Sequence, residues 1–224
     1  TFGLAPASPL DELDGGVSGM RLRIPAETDL AMVAPGILAR FRAALADLEA
    51  LGATVEARAM PRPPEAYMTH AGDLLAAEAW HHLGRHVEAP GSVVDPAIRA
   101  RILKGRDIDG ARYHELIALR RARQIEFERY LEAADAFLTP TAPITAPPLA
   151  GLDEAKTTLG TFSRLVNLMD MAALSVPVGL VEGLPAGLQI VVRRFRDPLA
   201  LRIGRALERR RGGLFDPPSG YDTP

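Results

Sequence analysis

The stretch MRLRIPAETDLAMVAPGILARFRAALADLEALGATVEA (Met20–Ala57) decides the fold. Met20–Ile24 alternates apolar residues with arginines and ends at Pro25, the pattern of a short strand. Pro35–Leu51 places Ile37, Leu38, Phe41, Leu45 and Leu48 at helical spacing, and Gly52 stops the helix. Ala53–Ala57 then reads as a second strand. Strand, helix and strand over about forty residues predict a βαβ unit with parallel pairing. No glycine-rich phosphate loop accompanies it, so a nucleotide site is not implied.

Pro64–Arg85, Asp95–Lys104 and Gly110–Ala133 read as helices. Asp135–Leu138 reads as a short buried strand ended by Pro140, and the proline-rich Thr141–Leu152 as a surface loop. Thr161–Met171 reads as a helix. Leu174–Val178 and Gly187–Val192 read as strands joined by a turn through Gly183, Leu184 and Pro185. Pro198–Arg211 is a helix with Pro198 in its first turn, where a missing N–H costs nothing. The predicted class is α/β, a mixed β-sheet flanked by helices with these five strands central. Its core is expected to hold Leu22, Ile24, Leu45, Leu48, Val55, Phe137, Leu138, Leu165, Val176, Val178, Leu188, Ile190, Leu201 and Ile203. Residues 1–19 read as a linker, 20–211 as one domain and 212–224 as a polar tail.

Composition narrows the function. Hydrophobic residues make up 47% and charged residues 24% of the 224, the mix of a soluble globular protein. A net charge of −2 gives no global pull toward nucleic acid or membrane. With no cysteine, disulfides, thiol nucleophiles and thiolate metal sites are excluded. No apolar run approaches the roughly 20 residues of a spanning helix. Thr1–Gly16 does not read as a secretory signal, so a cytoplasmic location is expected.

Four stretches carry a resemblance: VSGMRLRIP (Val17–Pro25), ADAFLTPTAP (Ala134–Pro143), Ser163–Gly179, and GLPAGLQ (Gly183–Gln189) with Phe195, Asp197 and Leu201. Their order and spacing resemble the C-terminal half of the amidase signature family, over about Val17 to Glu208. The resemblance implies a serine acyl-enzyme that hydrolyses a linear carboxamide to carboxylate and amine or ammonia, without a cofactor. An amide carbonyl is a poor electrophile, so such an enzyme must activate a serine and hold the oxyanion. The family uses a neutral lysine, a bridging serine and a serine nucleophile. This sequence has no Ser-Ser pair, and its only lysines are Lys104 and Lys156. Both sit in polar surroundings that suit solvated surface groups, so no catalytic residue is carried over. The expected partners are a small amide substrate and the catalytic half of the family that this sequence does not contain. A homodimer is compatible with the same sequence. The alternative from a different class is a non-catalytic subunit or pseudoenzyme fragment that binds a partner or a small ligand through an uncovered sheet edge.

The resemblance also implies substrate-binding positions. Thr139 and Thr141 flank Pro140 at a strand end, where ligands gather in α/β sheets; the plain alternative is that they cap the turn. Ser163 and Val166, spaced i and i+3, share a helix face and fall where the family lines its substrate channel, against a role in packing only. Asn167 beside them suits a structural hydrogen bond to a neighbouring loop. The amidotransferase branch of the family, which works on tRNA-linked substrates, carries an Arg-aromatic-Asp-Gly stretch where this chain has GRHVE (Gly84–Glu88), and an acidic residue near the position of Gly160. A stand-alone amidase for a less charged or bulkier amide is therefore the expectation. His82 and His86 share a helix face, yet no third ligand follows at metal-site spacing and no HExxH is present, so no metal is expected. Arg120, Arg121 and Arg123, near Glu115, Glu126 and Glu128, read as a salt-bridged exposed face.

Overall fold

The structure, a computed structural model, describes residues 10–153 and 157–212. In chain order its elements are β1 (Arg21–Pro25), α1 (Pro35–Ala50), β2 (Thr54–Arg58), α2 (Pro64–Glu88), α3 (Pro96–Lys104), α4 (Gly110–Tyr130), β3 (Ala136–Pro140), α5 (Thr161–Met169), β4 (Ala172–Val181), β5 (Leu184–Val192) and α6 (Asp197–Arg210). The chain divides into two compact units. One comprises Thr1–Ala59, Ala133–Thr145 and Met171–Pro224, the other Met60–Glu132 and Ala146–Asp170.

The first unit is a five-stranded mixed sheet in the order β2-β1-β3-β5-β4. The predicted βαβ unit is present: β1 and β2 run parallel, Leu22 opposite Val55. β1 is also parallel to β3, while β5 is antiparallel to both β3 and β4. All five residues of β3 are buried, as expected of a strand covered on both faces. The β4–β5 turn falls at Glu182 and Gly183, with φ of 51° and 81°, and not at Leu184 and Pro185, which begin β5. A type I′ hairpin turn needs left-handed backbone at both of its residues, which proline cannot adopt. α6 lies so close to β4 that a Cβ at Gly204 would stand 2.6 Å from Leu174. Asp47 of α1 accepts from Arg211 at 2.9 Å, and Arg211 also donates to the Val178 carbonyl at 2.6 Å, joining α1, β4 and the end of α6.

Of the fourteen expected core residues, Ile24, Val55 and Leu201 are only half-buried. Val55 falls short because Ala53–Ala57, expected as a central strand, forms an edge strand. The less expected tenant of the interior is Arg23, 4% exposed. Its guanidinium donates to Glu56 directly across the β1–β2 pair at 2.8 Å and holds that carboxyl below its ordinary pKa. Packing also begins upstream of β1, inside the segment expected to be a linker: Val17 is buried, and Arg202 donates to the carbonyls of Gly16 and Gly15 at 2.6 and 2.9 Å.

The second unit is helical. α3 and α4 start where aspartates cap them: Asp95 accepts from the Ala97 and Ile98 amides at 2.9 and 3.2 Å, and Asp109 from Arg112 at 2.8 Å. Tyr67 of α2 meets Phe127 of α4 edge-on at 6.1 Å between ring centres. Arg120 and Arg123 of α4, expected on a salt-bridged exposed face, bond to backbone carbonyls instead. Arg120 donates to the carbonyls of Leu168 and Asn167 at 2.8 and 3.2 Å, a cation at the C-terminal end of α5 that meets carbonyls of its last turn and its dipole. Arg123 donates to the Ala66 carbonyl at 2.8 Å. Glu126 bonds instead with Arg62, and Glu115 with Arg112.

Candidate functional site

The sheet unit places Thr139 and Thr141 differently. Thr139 has no exposed surface, and its hydroxyl accepts from the Gln189 amide at 3.1 Å, its direct partner across the β3–β5 pair. Two residues on, the chain leaves β3 but keeps one more rung: the Thr141 N–H donates to the Gly187 carbonyl at 2.8 Å. The Thr141 hydroxyl then shares a 2.6 Å hydrogen bond with that of Ser175 on β4. This bond crosses above Gly187, since a Cβ there would stand 2.7 Å from Thr141 Oγ1 and 2.9 Å from Ser175 Oγ. The hydroxyl pair opens onto a recess of about 240 Å³ with apolar walls from Ile37, Ile144, Pro177 and Pro185. Such a site offers hydroxyl donors and acceptors for a carbonyl or amide beside an apolar wall.

Sequence reasoning does not single out Ser175, Gly187 or Gln189. The available signal is the glycine inside a strand, which marks close approach of another group. Gly187→Ala should cost about 1–3 kcal/mol, because the added methyl must push the hydroxyls apart. Chemical denaturation measures this, and a loss below roughly 0.5 kcal/mol, ordinary for a surface change, would mean that the hydroxyls swing aside freely.

In the helical unit Ser163 is half-buried and its hydroxyl donates to the carbonyl of Gly160, the N-cap of its own helix, at 3.3 Å. Val166 is 5% exposed. The Asn167 side chain is exposed, and its carbonyl takes one of the Arg120 bonds. Arg164, not a carboxylate, stands beside Gly160, 3.2 Å from where a Cβ would lie.

The other candidates resolve structurally. Lys104 is 62% exposed and ion-paired with Asp73 at 2.7 Å, and Lys156 lies outside the described residues. His70 is buried, with Nε2 2.9 Å from the Leu116 carbonyl, so Nε2 carries the proton; burial lowers its pKa, keeping the ring neutral. His81 and His82 stack edge-to-face at 4.9 Å. Among the described residues no group of three or more His, Asp or Glu side chains is arranged to hold a metal ion, and no helix is long and apolar enough to cross a membrane.

Comparison with known proteins gives the family. The family model described as Amidase matches residues 11–201. The chain is 31% identical over 225 residues to a glutamyl-tRNA(Gln) amidotransferase subunit of Thermotoga maritima, covering 89% of this chain and 47% of that protein. It is 32% identical over 221 residues to the corresponding protein of Symbiobacterium thermophilum, covering 86% and 45%. Among solved structures, the Thermotoga maritima protein superposes with a TM-score of 0.68 over 88% of this chain and 44% of that one, at 31% identity. A crystal structure of an amidase superposes with a TM-score of 0.78 over 87% and 46%, at 26% identity. The chain spans about half the length of the curated relatives it matches.

Proposed function

The chain belongs to the amidase family, and on that premise we propose that it supplies the substrate-binding portion of an enzyme that hydrolyses a linear carboxamide. In this reading a serine outside these 224 residues attacks the carbonyl carbon. The C–N bond breaks, the amine or ammonia leaves with a proton, and water then cleaves the acyl-serine ester to release the carboxylate. Thr141, Ser163, Val166 and Asn167 are the proposed substrate-contact residues, and Thr139, which has no exposed surface, is proposed to support the site through its bond with Gln189. The observation that carries the reading is the family match over residues 11–201.

The substrate proposed is a neutral amide rather than glutamine. Arg164 beside Gly160 puts a cation near the position where the amidotransferase branch has its acidic residue, so a substrate ammonium there meets repulsion in place of an ion pair.

The test uses a longer form that includes a Lys and Ser-Ser segment, beside the 224 residues alone. The longer form should release ammonia in a burst from hexanamide or benzamide and leave glutamine intact, whereas the 224 residues should be inactive. Turnover by the short chain that is lost in Ser163→Ala would overturn the assignment of catalysis elsewhere. In the longer form Val166→Ala should shift the ratio of kcat/KM between a bulky and a small acyl group by roughly tenfold. A loss of stability with that ratio unchanged would make Val166 a packing residue only.

A further inference from the structure

The C-terminal half of α2, the turn after α3 and the first turns of α4 enclose a recess of about 730 Å³ within the helical unit. That volume suits a small organic ligand. Trp80 and Tyr113, both half-buried, supply aromatic surface. The indole is held against the α2 backbone, since a Cβ at Gly84 would stand 2.7 Å from it.

The charges of the wall are not equivalent. Asp109 is engaged as the cap of α4, and Glu88 faces Arg106 at 3.8 Å. Glu78 accepts only the Tyr113 hydroxyl, at 3.2 Å, and among the described residues no basic side chain pairs with it. A carboxylate without a counter-cation beside two aromatic rings is the chemistry that recognises an ammonium, through charge-assisted hydrogen bonds and attraction to the ring faces. The basic residues of this wall are Arg85, the one arginine, and His81 and His82; three carboxylates outnumber the single fixed cation, so an anionic ligand is disfavoured.

We propose that this recess binds a small organic cation, an alkylammonium whose N–H groups donate to Glu78 and whose hydrocarbon body lies against Trp80 and Tyr113. This proposal stands apart from the amidase reading and does not need the longer form.

Trp80 is the chain's only tryptophan, so its fluorescence reads the recess directly. Three probes of one shape separate charge from shape: cyclohexylammonium, cyclohexanol and cyclohexanecarboxylate. A saturable fluorescence change is expected with the ammonium, at least roughly tenfold weaker binding with the alcohol, and none with the carboxylate; a tenfold factor is the loss of one charge-assisted hydrogen bond. Glu78→Gln, which keeps an acceptor for Tyr113, should weaken the ammonium by a similar factor. Raising the salt concentration should weaken it in the unaltered protein as well, a readout that holds if the variant fails to fold. Equal response to the alcohol, binding of the carboxylate, unchanged affinity in a folded Glu78→Gln variant, or salt-independent binding would each overturn the proposal.

Discussion

Replacing Gly105 by alanine should destabilise the helical unit by about 3 kcal/mol or more, the upper end of overpacking costs. Gly105 closes α3 where the chain passes α2. A Cβ there would lie 1.9 Å from the Ala76 carbonyl oxygen and 2.7 Å from Trp80 Cβ. The obstacle is backbone, which cannot rotate away as a side-chain tip can, so α3 must lift from α2. In a chain of this size the thermal midpoint should fall by roughly 6–12 °C, read from Trp80 fluorescence because Trp80 is one of the residues displaced. Gly110→Ala is the matched control. A Cβ at Gly110 meets nothing within 4 Å, and the same substitution at a helical position is neutral or favourable by up to about 1 kcal/mol. Equal melting of the two variants would mean that the approach of α3 to α2 is loose.

The same contrast explains how far the sequence can be read. The elements are legible because their signals are local. Asp95 and Asp109 stand just before helices they cap, Gly52 with φ of 93° follows α1, and FLTP announces a buried strand. Sheet order is less so. Nothing within TVEAR (Thr54–Arg58) or Leu174–Val178 states that one side has no neighbour among the described residues, so both edge strands of the sheet are expected to be central. Arg21 and Arg23 occupy alternate positions of one strand, yet only Arg23 is buried; Glu56, 33 residues away, makes the difference. The arginines of α4 follow the same rule. Glutamates three to five positions away offer local ion pairs, but such pairs are worth only about 0.3–0.5 kcal/mol on an exposed helix. Carbonyls at a helix end, 47 and 48 residues distant, take Arg120 instead. In the candidate site, Thr141 is legible as a residue at a strand end, whereas its hydroxyl partner Ser175, 34 residues on, is visible only once β3, β5 and β4 are side by side.

Phe137→Ala should cost about 3–5 kcal/mol, the range for emptying a buried aromatic site. Phe137 has no exposed surface and stands in the middle strand of the sheet, with Arg23 of β1 on one side and Val191 of β5 on the other. A void there has little to collapse into, because β3 is hydrogen-bonded along both edges and buried on both faces. Far-UV circular dichroism should show the sheet melting earlier by roughly 6–20 °C, while Leu180→Ala, at a position 46% exposed, should change stability by no more than about 0.5 kcal/mol. The consequence for the candidate site is local. β3 carries Thr139 against Gln189 and delivers Thr141 to Gly187 and Ser175, so loosening the strand at Phe137 should speed hydrogen exchange at the Thr141 amide, which donates to the Gly187 carbonyl. Conditions strongly favouring the folded state separate this local opening from global unfolding. If stability falls while exchange at Thr141 is unchanged under those conditions, the hydroxyl pair is held by the β4–β5 hairpin alone. Phe137 would then anchor the core without positioning the site.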